Sequence, residues 1–167
     1  YMKKEVKPTD KLQLIKRVID KISLQHTTPA KFQSEIEKQI PELAAYVKEK
    51  DLLNIDPSKP LVVRKEPAYM AGVAEKAESY LREYNDYVLQ ILNIHEAIPG
   101  HYTQLIYSNQ SPSIIKAILG NGAMIEGWAV YAERMMLESG YKNSPEMWLM
   151  YYKWNLRTTC NMILDYS

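Results

Sequence analysis

Two of the three histidines in this 167-residue chain stand close together, in His95-Glu96-Ala97-Ile98-Pro99-Gly100-His101. A histidine followed directly by glutamate opens the zinc-hydrolase pattern H-E-x-x-H. In that pattern the histidines are four apart, both rings share a helical face, and the glutamate reaches the water held by the metal. Here the histidines are six apart. At about 100° per residue, six residues turn about 240° net, so on a straight helix the two rings diverge. Pro99-Gly100 offers a way round this. Proline removes the donor that would bond the His95 carbonyl, and its ring clashes with that carbonyl. Glycine tolerates backbone angles closed to other residues. A kink or bulge there can rotate His101 back toward His95. The alternative is that Pro99-Gly100 ends the helix and His101 opens a loop, and geometry alone leaves both open.

Imidazole donors suit zinc, and a carboxylate commonly completes a three-ligand catalytic set. The best downstream candidate is Glu126, in Gly122-Ala-Met-Ile-Glu-Gly-Trp-Ala-Val-Tyr-Ala-Glu133. Its neighbours are small or apolar, which predicts a mostly buried helix, and a buried carboxylate needs a counter-charge such as a divalent cation. Glu133 follows two turns later on nearly the same face, where it can hydrogen-bond a metal-bound histidine. The competing reading pairs Glu126 and Glu133 with Arg134, Arg157 or tyrosine hydroxyls.

The elements that must position these groups are mostly helical. Thr9 or Asp10 caps a helix to about Gln25, with a face of Leu12, Ile15, Ile19 and Ile22. Thr28-Pro29 opens the next, through Phe32, Ile36 and Ile40, which Pro41 interrupts or restarts. From residue 51 to 74, Pro57, Pro60 and Pro67 forbid helix, leaving an extended connection with Leu61-Val62-Val63 as candidate strand. Residues 75–98 read as one long helix with a stripe of Ala77, Leu81, Tyr84, Val88, Ile91 and then His95. A titratable ring thus takes a core-facing place. Ser111-Pro112 opens a short helix, Ala123–Ser139 another that Gly140 closes, and Ser144-Pro145 the last. The divisions are residues 1–50, N-terminal helices; 51–74, the connection; and 75–167, the helical metal-site region of the same domain.

Composition narrows the function. The formal net charge is +1, which gives no support to nucleic-acid binding or a polybasic membrane patch. No apolar run approaches the roughly 20 residues that span a bilayer. The single cysteine, Cys160, rules out an internal disulfide and reads as a small core residue, not a nucleophile. No glycine-rich phosphate loop is present; Gly120-Asn121-Gly122 reads as a turn between helices. Thirteen tyrosines against one phenylalanine suit half-buried surfaces and clefts. The chain begins at Tyr1 and reads as part of something longer.

Two blocks, Asn93-Ile-His-Glu-Ala-Ile-Pro-Gly-His-Tyr-Thr-Gln104 and Glu126-Gly-Trp-Ala-Val-Tyr-Ala-Glu133, together with Lys48–Leu52 and Val63–Met70, resemble the bacterial family of unknown function numbered 885 (DUF885). The resemblance covers roughly residues 40–167. It implies a mostly α, zincin-like helical metallohydrolase domain with at most a small strand pair. It also implies one Zn²⁺ held by His95, His101 and Glu126, with Glu96 as general base, and a secreted or cell-envelope lipoprotein whose lipid anchor lies outside this chain. Two departures stand out: many members carry a second histidine where this chain has Tyr102, and the connection from Gly72 to Glu75 is short for the family, as though a segment between were left out.

The function expected is a zinc-dependent, peptidase-like hydrolase acting on a peptide or other amide. Glu96 would take a proton from the water on the metal and return it to the leaving amine. Tyr102, Tyr131 and Arg134 are candidate oxyanion donors, Glu133 a supporting group, and Tyr69 and Arg64 candidate cleft residues. The alternative is a non-catalytic helical domain that binds peptide or protein, with a structural or absent metal.

Overall fold

The computed structural model describes residues 10–55, 61–64 and 78–165. Those residues form eight helices and no strand: α1 Lys11–Ile22, α2 Phe32–Glu49, α3 Glu78–Glu83, α4 Asp86–Glu96, α5 His101–Asn109, α6 Ile114–Ile118, α7 Gly122–Glu138 and α8 Pro145–Asp165. The chain is therefore mostly α, as expected. The strand candidate is a correction. Residues 61–64 run as irregular chain, with Val62 63% exposed. Without a neighbouring strand to take its backbone groups, an apolar triplet has no ladder to join. Tyr69 and the short connection at 72–75 lie outside the described residues.

α4 is the centre of the assembly. It packs against α2, α7 and α8, and its apolar residues are buried on more than one side. Val88 and Ile91 join Ile22, Leu137, Met147, Met150 and Tyr151 in one core. Ile94, one turn further, joins Leu43, Val47, Ala132 and Met136 in a second. A helix with apolar residues on more than one side is placed in an interior, and only its ends, Asp86 and Glu96, are exposed. Truncating Ile94 would cost about 2–5 kcal/mol, the usual range for a buried isoleucine cut to alanine. A buried amide pair fixes how α4 lies on α2: Asn93 Nδ2 donates to Gln39 Oε1 at 2.7 Å.

The long helix expected over 75–98 is broken at Asn85. That side chain is fully buried and accepts from the backbone N–H groups of Tyr87 and Val88, while its amide donates to the Arg82 carbonyl. Asparagine competes with the backbone for such bonds, so it starts α4 afresh where apolar spacing alone reads straight through. Pro41 errs the other way, since α2 continues through it. Pro41 and Glu37 lie on the solvent face, where water can meet the carbonyl that proline leaves unbonded, and Leu43 and Val47 hold the far side in the core. The Thr28-Pro29 start falls in a turn, and α2 begins at Phe32. Cys160 is exposed rather than core, because the distal half of α8 has no described element packed over it.

The loop between α1 and α2 is stapled to α3 and α4. The Asp86 N–H donates to the Gln25 carbonyl at 2.9 Å, and the Tyr87 hydroxyl donates to Gln25 Oε1 at 2.8 Å. His26 adds a titratable link. Its Nδ1 faces the Thr27 carbonyl at 2.8 Å and its Nε2 faces Glu78 Oε1 at 2.9 Å. Both are acceptors, so only the imidazolium satisfies both. The Thr27 carbonyl holds the ring's pKa above the usual histidine value, against the cost of burial and with help from Glu78. A raised histidine pKa stabilises the fold fully below the unfolded value of about 6.5 and loses that contribution as pH rises through the folded value. The urea midpoint should therefore carry a small component that declines above about pH 6.5. His26→Gln should remove it; an identical pH profile in the variant would refute this role.

Candidate metal centre

α4 ends at Glu96, and a four-residue reversal, Ala97-Ile98-Pro99-Gly100, leads into α5 at His101. This is neither the bent continuous helix nor the loop start expected from spacing. It is a helix end followed at once by a helix start, with a cis peptide at Ile98-Pro99. His95 thus occupies the last turn of one helix and His101 the first position of the next. The rings meet edge to face, with centroids 4.7 Å apart and planes at 87°.

Gly100 makes this approach possible. A Cβ built there would lie 1.8 Å from the His95 carbonyl oxygen and 2.3 Å from that of Ile94. Its φ is −73° and its ψ −132°, and a side chain has no space there. Trp128 of α7 fastens the outside of the reversal, its indole N–H donating to the Pro99 carbonyl at 2.9 Å.

α7 supplies the carboxylates. Glu126 Oε2 stands 3.7 Å from His95 Nε2 and 3.6 Å from His101 Nε2. Donor atoms around a tetrahedral zinc, with bonds of about 2.0–2.1 Å, stand about 3.3 Å apart. The two separations from Glu126 are thus a few tenths of an ångström longer than that spacing. Glu96 also lies close: one ligand atom each from His95, Glu96 and His101 fall within 4.8 Å of one another. Glu126 and Glu96 thus both reach the histidine pair, one from α7 and one from the end of α4.

Seven residues beyond Glu126, Glu133 is 1% exposed, and its Oε1 lies 2.6 Å from His95 Nδ1. The Nδ1–H donates to this carboxylate, so the Nε2 lone pair faces His101 and Glu126. Metal-binding histidines are commonly oriented in this way. Burial pushes the Glu133 carboxyl up, opposed by the His95 hydrogen bond. For His95, burial works against protonation but is outweighed by the Glu133 hydrogen bond and the charges of Glu133, Glu96 and Glu126, so its pKa is also raised. His101 lacks such an anchor: its Nδ1 is buried with no hydrogen-bond partner among the described residues, and packing alone orients the ring. The donor set of two imidazole nitrogens and one carboxylate, with one ring pre-aimed by a buried acid, fits a zinc ion.

The other candidates separate clearly. Arg134 points along the solvent face and bonds Glu138 at 2.8 Å. Arg157 approaches Glu83 and lies over the Trp154 ring. Neither takes Glu126 or Glu133. Tyr102 packs half-buried against the core cluster that contains Ile94. Tyr131 is 56% exposed, with its ring beside Trp128. Arg64 is exposed and forms no ion pair with a carboxylate among the described residues. Glu126 is more exposed than its apolar neighbours suggest, at 69% of its side chain. It sits in the first turns of α7, where no described element covers its outer side. The role of Trp128 was missed in the sequence, although its place two residues after Glu126 was a usable signal.

This chain belongs to the family described as "Bacterial protein of unknown function (DUF885)", whose profile matches residues 2–167. It is similar to a solved structure described as a putative lipoprotein of unknown function from Shewanella oneidensis. The two share 55% identity with a TM-score of 0.86, over 98% of this chain and 34% of the other. The chain thus spans about a third of the length of that relative. A comparison with curated proteins finds no match.

Gly100→Ala should strain the reversal at backbone, where no side chain can move aside. Overpacking of this kind costs about 1–3 kcal/mol or somewhat more. The urea midpoint should fall accordingly, and the His95 and His101 ring resonances should shift. A variant as stable as the parent, with unchanged resonances, would contradict the close approach at Gly100.

Proposed function

We propose that this chain carries the metal centre of a zinc-dependent, peptidase-like hydrolase. The observation that supports this most is that Glu126 Oε2 lies within 3.7 Å of both His95 Nε2 and His101 Nε2, with Glu96 grouped with the same two histidines. His95, His101 and Glu126 would hold the ion. Bound there, zinc would acidify a water and polarise a substrate carbonyl. Glu96 is exposed and stands at the end of α4 beside both rings. It can accept a proton from the attacking water and pass it to the leaving amine. Glu133 keeps the Nδ1 proton of His95 in place and so keeps Nε2 free for the metal. Arg134 pairs with Glu138 through Nε and Tyr131 offers an exposed hydroxyl on the same helix, and both are candidate oxyanion donors. The likeness to a protein described as a putative lipoprotein supports a cell-envelope location.

The second reading is a non-catalytic peptide- or protein-binding domain with a structural metal. The closeness of Glu96 to both rings favours it, because Glu96 as a fourth ligand would close the coordination sphere. One substitution separates the two. On the hydrolase reading, Glu96→Gln keeps one zinc per chain and lowers cleavage of a mixed peptide library by about 10²–10⁴-fold. On the structural reading, Glu96→Gln loses the metal. Undiminished cleavage by Glu96→Gln would overturn the role given to this residue. Glu133→Gln should weaken zinc binding by about 10–100-fold, measured by competition with a chelator. Equal affinity would mean that the His95–Glu133 bond does not serve the metal.

A further inference from the structure

α7 begins as a nearly uncovered helix. From the Asn121 cap to Gly127, every residue except Ile125 is exposed. The buried face starts at Ala129 and runs through Ala132 and Glu133 to Met136 and Leu137. Glu126 is therefore carried on a projecting turn, and Gly127 behind it has no side chain with which to hold that turn. Helix ends without packing open locally at little cost. Something must nevertheless keep the Glu126 carboxylate in front of the two rings.

Trp128 is the half-buried residue where the projecting turn meets the rest of the protein. An indole has a single N–H and accepts nothing; here it donates to the Pro99 carbonyl at 2.9 Å. Pro99 stands two residues before His101, and Trp128 two residues after Glu126. One hydrogen bond thus joins the helix of the carboxylate to the segment between the histidines. The inner side of that segment is held differently. Ala97 and Ile98 share an apolar cluster with Ala132 and Met136, one and two turns further along α7. Apolar packing is non-directional. The indole bond is directional and acts at the Glu126 end, where Tyr131 braces the ring at a centroid distance of 5.8 Å.

We propose that Trp128 is a positioning residue, whose bond to the Pro99 carbonyl sets where Glu126 stands against His95 and His101. The inference rests on the metal-centre reading for its consequence. Glu126 Oε2 is 3.6 and 3.7 Å from the ring nitrogens, against about 3.3 Å around a bound zinc. A turn already held at that range needs little adjustment on binding. A loose turn must be ordered first, and that ordering weakens the affinity. Trp128 acts through Glu126 and is not itself a ligand.

The test compares Trp128→Phe, which keeps an aromatic ring and loses the N–H, with Trp148→Phe. Trp148 also donates its indole N–H, to Asn143 Oδ1, and it packs on the core of Met147 and Met150, which includes no proposed ligand. It therefore reports a general loss of stability. Zinc affinity, measured by competition with a chelator, should fall about 3–10-fold in Trp128→Phe, as the net worth of one hydrogen bond implies, and stay unchanged in Trp148→Phe. In the metal-free protein, Trp128→Phe alone should speed amide exchange across residues 125–129 and shift the His95 and His101 ring resonances. Linkage makes the coupling reciprocal, so zinc should slow exchange of the Trp128 indole N–H by the same factor. Parental zinc affinity in Trp128→Phe, or an equal loss in both variants, would overturn the positioning role. If the parent takes up no zinc, the metal-centre reading falls and the exchange measurement decides alone. Unchanged exchange over 125–129 would then overturn the tie, and faster exchange confined to Trp128→Phe would leave it standing.

Discussion

The structure turns on a contact that a single missing methyl permits. At Gly100 the chain doubles back so tightly that the carbonyl oxygens of Ile94 and His95 occupy the space a side chain would need. Only there can one helix end and another begin with their histidines edge to face. The rest of the fold braces this point. α4 is locked from two sides by separate apolar clusters, one reaching α8 and the other α2, both including residues of α7. Trp128 ties the outer edge of the reversal to α7, the helix that also brings both glutamates to the rings.

α7 uses one face for two opposed electrostatic environments. Glu133 lies deep in the protein, where holding charge is costly, and the neighbouring imidazole offsets that cost. Glu126, two turns earlier, reaches the same rings from water. The helical period thus places one carboxylate behind the imidazole and one in front of it. The rear one directs the tautomer, and the front one faces the open lone pairs.

Much of this was legible from residue types. Metal chemistry and helical period marked His95-Glu96, His101, Glu126 and Glu133 as candidates but left their pairing open, and the resemblance to the family chose among the readings; the structure brings these side chains together. The manner of their meeting was not legible, since spacing describes regular helices and the reversal is a local packing solution. The break at Asn85 was hidden for a related reason: apolar periodicity on either side stays in phase, and only the amide reveals the new start. Pro41 misled in the opposite direction, because a proline on a solvated face costs a helix less than one in its interior packing. Leu61-Val62-Val63 has strand-like composition, but pairing depends on a second strand that composition cannot supply. Arg134 and Tyr102 have suitable chemistry near the histidines in sequence; in the structure Arg134 pairs with Glu138 at the surface and Tyr102 packs partly buried against the core that contains Ile94.

The exposure of Glu126 bears on the order of assembly. His95 is held from behind by Glu133, and His101 is held by packing, so the nitrogen pair is in place once the helices have docked. The Glu126 carboxylate stands on the solvent side of both rings, 69% exposed. If an ion is held as proposed, the two nitrogens form the inner part of its site and Glu126 the accessible part. The apolar clusters that lock α4 include none of the three residues, so the scaffold's packing is separate from the filling of the site.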